Sequence, residues 1–147
     1  MNVLAPSLAE IRDGFLELEG QDRLLYLLEF SDELPELPAE YQDHPELLER
    51  VEERQSPVFL ISEVDAAADH FRLVASAPAE SPTTRGFASI LVHGLAPLTP
   101  REVLEVPVDF PQELGLTQLV SPLRMRGMTF MLARIQRQVR EKLALAS

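Results

Sequence analysis

The first third of the chain carries apolar residues at the three- and four-residue spacing of amphipathic helices. The segment Ser7-Leu8-Ala9-Glu10 opens this pattern and has the form of a capping box, in which a serine hydroxyl and a glutamate carboxylate satisfy free backbone amides. Gly20 interrupts the pattern, which resumes from Gln21 to about Glu33. We therefore predict two short helices, followed by a break at residues 34–38, where two prolines cannot continue a helix.

The middle of the chain predicts a β-hairpin and a further helix. Val58-Phe59-Leu60-Ile61 combines β-branched and aromatic residues, which are typical of strands. Residues 65–69 are predicted to form the turn, and residues 71–75 the return strand. After a loop rich in proline and serine, the spacing of apolar residues predicts a helix over residues 83–94.

The C-terminal part contains two helix start signals. Thr99-Pro100-Arg101-Glu102 combines a cap residue, a proline in the first turn and a glutamate three residues after the cap. Ser121-Pro122 opens the last helix. That helix carries an apolar stripe formed by Met128, Met131, Leu132, Ile135, Val139 and Leu143. Residues 106–111 are predicted to be extended because two prolines interrupt them, and residues 40–45 to be a polar loop. Helices outnumber strands, and the strands adjoin in sequence, so the expected class is α+β.

The composition is that of a globular protein, with 46% hydrophobic and 25% charged residues. A length of 147 residues corresponds to one domain, residues 1–147. The chain contains no cysteine, which excludes disulfides, thiolate metal sites and a cysteine nucleophile. No apolar run approaches the roughly 18 residues of a membrane span, and no secretory signal opens the chain, so we expect a soluble cytoplasmic protein.

The net charge of −11 is distributed unevenly. Residues 1–53 contain 15 acids and 3 bases, whereas residues 122–147 contain 6 bases and 1 acid. An acidic chain opposes general binding to a phosphate backbone, and we expect no nucleic-acid partner. Two interpretations of the asymmetry stay open: it marks two different contact faces, or the two ends of the chain attract each other in the fold.

The side chains alone reveal no recognisable active site. His44, His70 and His93 lack the four-residue helical spacing of a zinc site, and surface or internally bonded histidines are the better interpretation. Acidic pairs such as Asp32-Glu33 are better explained as a solvated face than as acid and base catalysts. No glycine-rich phosphate loop or hydrolase nucleophile motif is present. We expect no cofactor and no metal.

A series of short words nevertheless resembles the SufE family of sulfur-transfer proteins, which includes the CsdE branch. In chain order the words are Tyr26-Leu27-Leu28, Leu34-Pro35-Glu36-Leu37, Gln55-Ser56-Pro57-Val58-Phe59, Arg85-Gly86, Thr99-Pro100-Arg101-Glu102, Leu114-Gly115-Leu116, and Ser121-Pro122-Leu123-Arg124 with Gly127 and Met131. They cover about residues 8 to 143 in compatible order and spacing. The resemblance implies a small antiparallel sheet of about three strands, with the strand at Val58 in its centre, packed with helices and covered by a long C-terminal helix.

SufE-like proteins partner a pyridoxal-phosphate cysteine desulfurase, and their working residue is a cysteine in a Gly-Cys-Gln-Ser loop. That thiolate accepts sulfur from the desulfurase persulfide and passes it toward an iron–sulfur scaffold. Here Arg54 occupies the cysteine position and Glu53 the glycine position. A guanidinium is always protonated and is no nucleophile. The acidic pair that the family has after the second strand is reduced to Glu80.

The resemblance therefore predicts a non-enzymatic SufE-type protein that binds a cysteine desulfurase without carrying sulfur, with an iron–sulfur scaffold as a second candidate partner. The residues expected to contact the partner are Glu53, Arg54, Gln55, Ser56, Glu80, Arg85 and Arg124. Two alternatives remain. One is an enzyme with an unrelated carboxylate or histidine site on the same fold, and the other is a structural interaction protein with a different partner.

Overall fold

The computed structural model describes residues 4–50 and 58–146. In chain order the elements are α1 (Pro6–Leu16), α2 (Gln21–Asp32), α3 (Ala39–Gln42), a 3-10 turn (Pro45–Leu47), β1 (Glu49–Arg50), β2 (Phe59–Asp65), β3 (His70–Ser76), α4 (Pro82–Leu95), α5 (Pro100–Glu105), a second 3-10 turn (Phe110–Leu114) and α6 (Pro122–Ala146). The predicted α+β class, with a small sheet and a long C-terminal helix, is confirmed.

The three strands form one antiparallel sheet in the order β1-β2-β3. Strand β2 is central, as expected. The hairpin between β2 and β3 pairs Phe59 with Ser76 at one end and Asp65 with His70 at the other. Its turn contains Asp69 in the left-handed region, at φ 55°. Within the described ranges, β1 pairs with the beginning of β2 through Glu49 and Arg50.

The sheet buries one face against α6 and α4, because side chains alternate along each strand. Leu60 and Leu73 on that face join the main core. The apolar stripe of α6 is buried in the same core from Met128 to Val139, and the predicted role of this helix is confirmed. The opposite face carries a smaller cluster, in which Val74 packs with Tyr41 and Leu48.

Helices α2 and α4 cross closely because α4 has a glycine at the contact. A Cβ atom added to Gly86 would lie 2.6 Å from the backbone oxygen of Leu27. That distance is shorter than real Cβ contacts allow, and the obstacle is backbone that cannot rotate away. Gly86 therefore determines how closely the two helices pack.

Two of the predicted caps have different outcomes. Thr99 forms a complete capping box with Glu102, as expected. The capping box predicted at Ser7 is wrong, because Pro6 occupies the first helical turn and the helix has no side-chain cap. Ser7 is already helical, and its Oγ donates instead to the carbonyl oxygen of Gly94 at 2.6 Å. This bond ties α1 to the end of α4.

Two loop predictions are also wrong. The polar loop expected at residues 40–45 is replaced in part by helix α3, which follows Pro38 at its N-cap. The extended segment expected at residues 106–111 is instead a series of turns that lead into the 3-10 segment Phe110–Leu114. Proline is well tolerated in the first turn of a helix, so these prolines begin short helical turns instead of breaking them.

Candidate functional site

Four of the seven predicted contact residues, Glu53 to Ser56, lie outside the described residues. Glu80, Arg85 and Arg124 lie within them. The structure does place both neighbours of the segment 51–57. Arg50 ends β1, and Val58, which is fully buried, precedes β2.

The register of the sheet shows where the residues that flank this segment lie. Arg50 pairs with Phe59, and Phe59 pairs with Ser76 at the end of β3. Arg50 and Val58, the two residues that flank the segment 51–57, therefore lie at the end of the sheet where β3 finishes and the connection to α4 begins. We call this the loop end of the sheet. Glu80 is exposed in that connection.

Helix α6 points its N-terminus in the same direction. Near its C-terminus Lys142 donates to the carbonyl of Ser62, whereas one helical turn earlier Gln138 bonds both Ser62 and Leu60. Following α6 backward therefore moves the contacts toward the loop end. Arg124, in the first turn of the helix, lies beyond that end by this geometry.

Arg124 is an exposed side chain, and its guanidinium makes no hydrogen bond or ion pair with any residue in 4–50 or 58–146. Its backbone N–H donates to Ser121 Oγ at 3.3 Å, so Ser121 caps the helix. The cation at this position is held on a regular helix and remains available to an incoming carboxylate.

Arg85 lies differently, because its guanidinium is engaged inside the molecule. Its Nη1 donates to the carbonyl oxygen of Ala77 at 2.8 Å, and its Nε donates to that of Ser31 at 3.3 Å. Arg85 thus connects the end of β3 to the end of α2. The contacts seen here are structural, and a partner-binding role for Arg85 stays a prediction.

The structure reveals a charged cluster at the loop end that the sequence analysis missed. Glu49, in β1, accepts from Arg134 at 2.8 Å and from Arg137, both on α6. Gln138 on the same helix adds a weaker contact to Glu49 at 3.3 Å. We call these four residues the Glu49 cluster. The sequence spacing places Arg134, Arg137 and Gln138 close together on one side of α6. Nothing in the sequence, however, identifies Glu49 as the residue that they contact.

Gln138 of the cluster also completes the open edge of β2. Strand β1 begins at Glu49, which pairs with Leu60, so β1 offers no neighbour to the backbone of β2 beyond Leu60. The side-chain amide of Gln138 substitutes for one, accepting from the N–H of Ser62 at 2.8 Å and donating to the carbonyl of Leu60 at 3.4 Å. Buried backbone groups need such partners.

Burial and hydrogen bonding oppose each other at Glu49. Burial raises the pKa of the carboxyl, but hydrogen bonds from Arg137, Arg134 and Gln138 outweigh it, and the pKa is lowered overall. On the other face of the sheet, hydrogen bonds from Arg72 lower the pKa of Glu63. Burial and the hydrogen bond to Glu63 raise the pKa of Tyr41 to about 12. Both carboxylates are therefore ionised at neutral pH.

Metal-ligating side chains are not clustered in the described part of the chain. No group of three or more His, Asp or Glu residues there could hold a metal ion. His93 contacts the carbonyl of Glu33, and His44 pairs with Glu46.

An apolar groove of about 280 Å³ lies along β3 and α4, but none of the predicted contact residues lines it. No helix among the described residues is long and apolar enough to cross a membrane.

Comparisons with known proteins define the class of protein to which this fold belongs. The model of the SufE family, described as an Fe-S metabolism associated domain, matches residues 9–139. The chain belongs to this family. The predicted resemblance is confirmed, and it comes with no cysteine anywhere in the sequence.

Individual relatives extend this result. Uncharacterized SufE-like proteins from two strains of Mycobacterium tuberculosis are each 53% identical over 139 residues, which is 94% of this chain and of theirs. The SufE-like protein 1, chloroplastic/mitochondrial, of Arabidopsis thaliana is 38% identical over 66 residues, covering 45% of this chain and 18% of the plant protein. A solution structure of a hypothetical protein from Thermus thermophilus superimposes with a TM-score of 0.82 at 36% identity, covering 97% of this chain and 99% of that one.

The Glu49 cluster predicts a specific pH dependence of stability. Because the pKa of Glu49 is lowered by folding, its contribution is complete above the unfolded value of 4.5 and is lost as the pH falls through the folded value. Replacing Glu49 with Gln should cost about 1–2 kcal/mol of unfolding free energy at pH 7, and the difference from the wild type should shrink on acidification. Urea denaturation from pH 7 to pH 3 measures both.

The matched control is Glu141→Gln, which removes the exposed partner of Arg137 and leaves Glu49 in place. This surface pair should contribute less than about 0.5 kcal/mol. Equal costs for the two variants at pH 7, or a Glu49→Gln cost that does not change with pH, would contradict the role assigned to the cluster.

Proposed function

We propose that this chain acts as a single SufE-type unit that binds a cysteine desulfurase and does not itself carry sulfur. The observation that carries the proposal is a complete SufE-like fold in a chain without cysteine. In support of docking, Arg124 is an exposed cation with no side-chain partner among the described residues, and the chain contains no thiol for sulfur transfer. The chain is then a binding partner and not an enzyme.

Sulfur transfer requires a thiolate for a chemical reason. In the family reaction a thiolate attacks the outer sulfur of the desulfurase persulfide, a new S–S bond forms, and the desulfurase cysteine leaves as a thiolate. Arg54 occupies the acceptor position here and cannot form that bond. No second cysteine is present to substitute for it.

Docking, in contrast, requires only a complementary surface. Arg124 in the first turn of α6 and Glu80 in the connection between β3 and α4 are both exposed. The neighbouring sequence Gln55-Ser56 follows the family pattern. Charged residues around such a contact improve the rate and specificity of association. A bound chain shifts the desulfurase between conformations if its affinity for them differs.

A charge reversal at Arg124 tests the docking surface. Arg124→Glu should weaken desulfurase binding at least tenfold if the guanidinium is buried against a carboxylate in the complex, since such losses amount to about 2–5 kcal/mol. Isothermal titration calorimetry with the cysteine desulfurase of the same organism measures this. Arg101→Glu is the control, because Arg101 is exposed on α5 near the hairpin turn, away from the loop end.

Desulfurase affinity that is unchanged by Arg124→Glu would remove Arg124 from the contact. Absence of any binding between the wild type and the desulfurase at micromolar concentrations would contradict the proposed function as a whole. It would favour an interaction protein with a different partner on the same fold.

The proposed loss of sulfur transfer predicts a gain of function. The wild type, incubated with desulfurase and cysteine without reductant, should show no added sulfur by intact mass. Arg54→Cys should gain a little, and Glu53→Gly combined with Arg54→Cys should gain more, because glycine permits backbone conformations closed to other residues. The nearby acid Glu52 should raise the pKa of the new thiol and slow the reaction.

The control is a cysteine placed elsewhere, Ser147→Cys, which should take up no sulfur under the same conditions. If the double variant binds the desulfurase and gains no mass, segment 51–57 is not a modified acceptor loop. The family relationship would then describe the fold but not the site.

A further inference from the structure

The outer surface of α6 carries a regular stripe of cations and apolar side chains that the desulfurase contact does not use. Its members are spaced by four, three, four and three residues, so they lie on one side of the helix. We call them the basic face: Arg126, Phe130, Ala133, Arg137 and Arg140. A shallow groove of about 290 Å³ runs along this face beside Phe130 and Ala133.

The charges of this face are only partly satisfied inside the molecule. Arg137 is paired with Glu49 and Glu141. Arg126 and Arg140 are exposed and make no ion pair with any residue that the structure describes. Phe130 is also 37% exposed, which is unusual for a large aromatic side chain. The expected attraction between the acidic first part of the chain and the basic last helix therefore occurs at Glu49. It leaves Arg126 and Arg140 without an ion pair among the described residues.

A second helix presents the opposite pattern. Along α2 the exposed residues are spaced by three, four and three, and we call them the acidic face: Asp22, Leu25, Glu29 and Asp32. Leu25 is 59% exposed between acids. None of the three carboxylates forms an ion pair within the described part of the chain. The acidic face is therefore complementary to the basic face in charge. Each face also exposes an apolar side chain, Leu25 on the acidic face and Phe130 on the basic face.

The dimensions of the two faces are compatible. At a rise of 1.5 Å per residue, the acidic face extends over about 15 Å and the basic face over about 21 Å. An α2 helix can therefore lie along α6 in either direction. Leu25 then lies over the groove, and the carboxylates lie opposite guanidinium groups. Bidentate pairing between arginine and carboxylate favours such a contact.

We propose that the basic face binds the acidic face of a second copy of this chain. Within one molecule α4 packs against both α2 and α6, and no ion pair among the described residues joins one face to the other. Each copy can then engage two neighbours, which gives a head-to-tail association. One helix pair buries less than the roughly 1,200 Å² of a stable complex, so the association is transient.

Salt affects this association in a defined way. The net charge of −11 opposes self-association at long range. Near 0.15 M salt the screening length is about 8 Å, which weakens the long-range repulsion while adjacent ion pairs still attract. At about 1 M salt the length falls to about 3 Å and the pairs lose strength as well. The weight-average mass should therefore be larger at the lower of these two salt concentrations.

Sedimentation velocity on two variants and their mixture tests the contact. Arg140→Glu damages only the basic face, and Glu29→Arg damages only the acidic face. Each variant alone should remain monomeric near 0.5 mM at about 0.15 M salt, where the wild type shows a mass that rises with concentration. An equimolar mixture should associate again, because each variant contributes one intact face.

Arg101→Glu, outside both faces, should behave like the wild type, and circular dichroism checks that every variant is folded. A wild type that stays monomeric at all concentrations would overturn the proposal. So would wild-type association that neither variant weakens, or a mixture of variants that stays monomeric. These outcomes do not depend on desulfurase binding, so they are separate from the test of the proposed function.

Discussion

The loop end of this protein depends on one ion-pair cluster, the contact of Glu49 with Arg134 and Arg137 of α6. Among the described residues, β1 pairs with β2 at two positions, Glu49 with Leu60 and Arg50 with Phe59. Two such pairings have little stability of their own, because they do not outweigh the entropy of ordering the chain. The arginines of α6 add the missing attraction. They hold β1, and therefore one end of segment 51–57, against a helix that the core already fixes.

The position of the candidate site depends on α6, the longest of the described elements. The buried stripe from Met128 to Val139 determines the position of α6 on the sheet. The same helix then supplies the cations that hold β1, the amide of Gln138 that completes the edge of β2, and Arg124 in its first turn. Stability and the candidate docking surface are thus coupled. Core substitutions in α6 are expected to disturb both.

Much of this architecture could be predicted from the sequence. The α6 stripe, the hairpin and the Thr99 cap have short-range patterns with a direct physical meaning. The Ser7 cap was predicted wrongly because Pro6 and the proximity of Gly94 decide which group Ser7 meets. Residues 106–111 were predicted wrongly because proline permits a helical turn as well as an extended segment. The Glu49 cluster could not be predicted for a different reason. Its partners are 85 or more residues apart in sequence, and choosing among the fifteen acids of residues 1–53 requires the register of β1 and the rotation of α6.

The chain is a SufE family member that contains no cysteine, and the central claim is that its loop end docks onto a cysteine desulfurase. Hydrogen–deuterium exchange with and without the desulfurase tests this claim directly, because it reports on backbone amides along the chain. We expect slower exchange in segment 51–57 and in the first turn of α6 when the desulfurase is added, with no change at the hairpin turn. Unchanged exchange in segment 51–57, in a mixture shown to contain the complex, would contradict the claim.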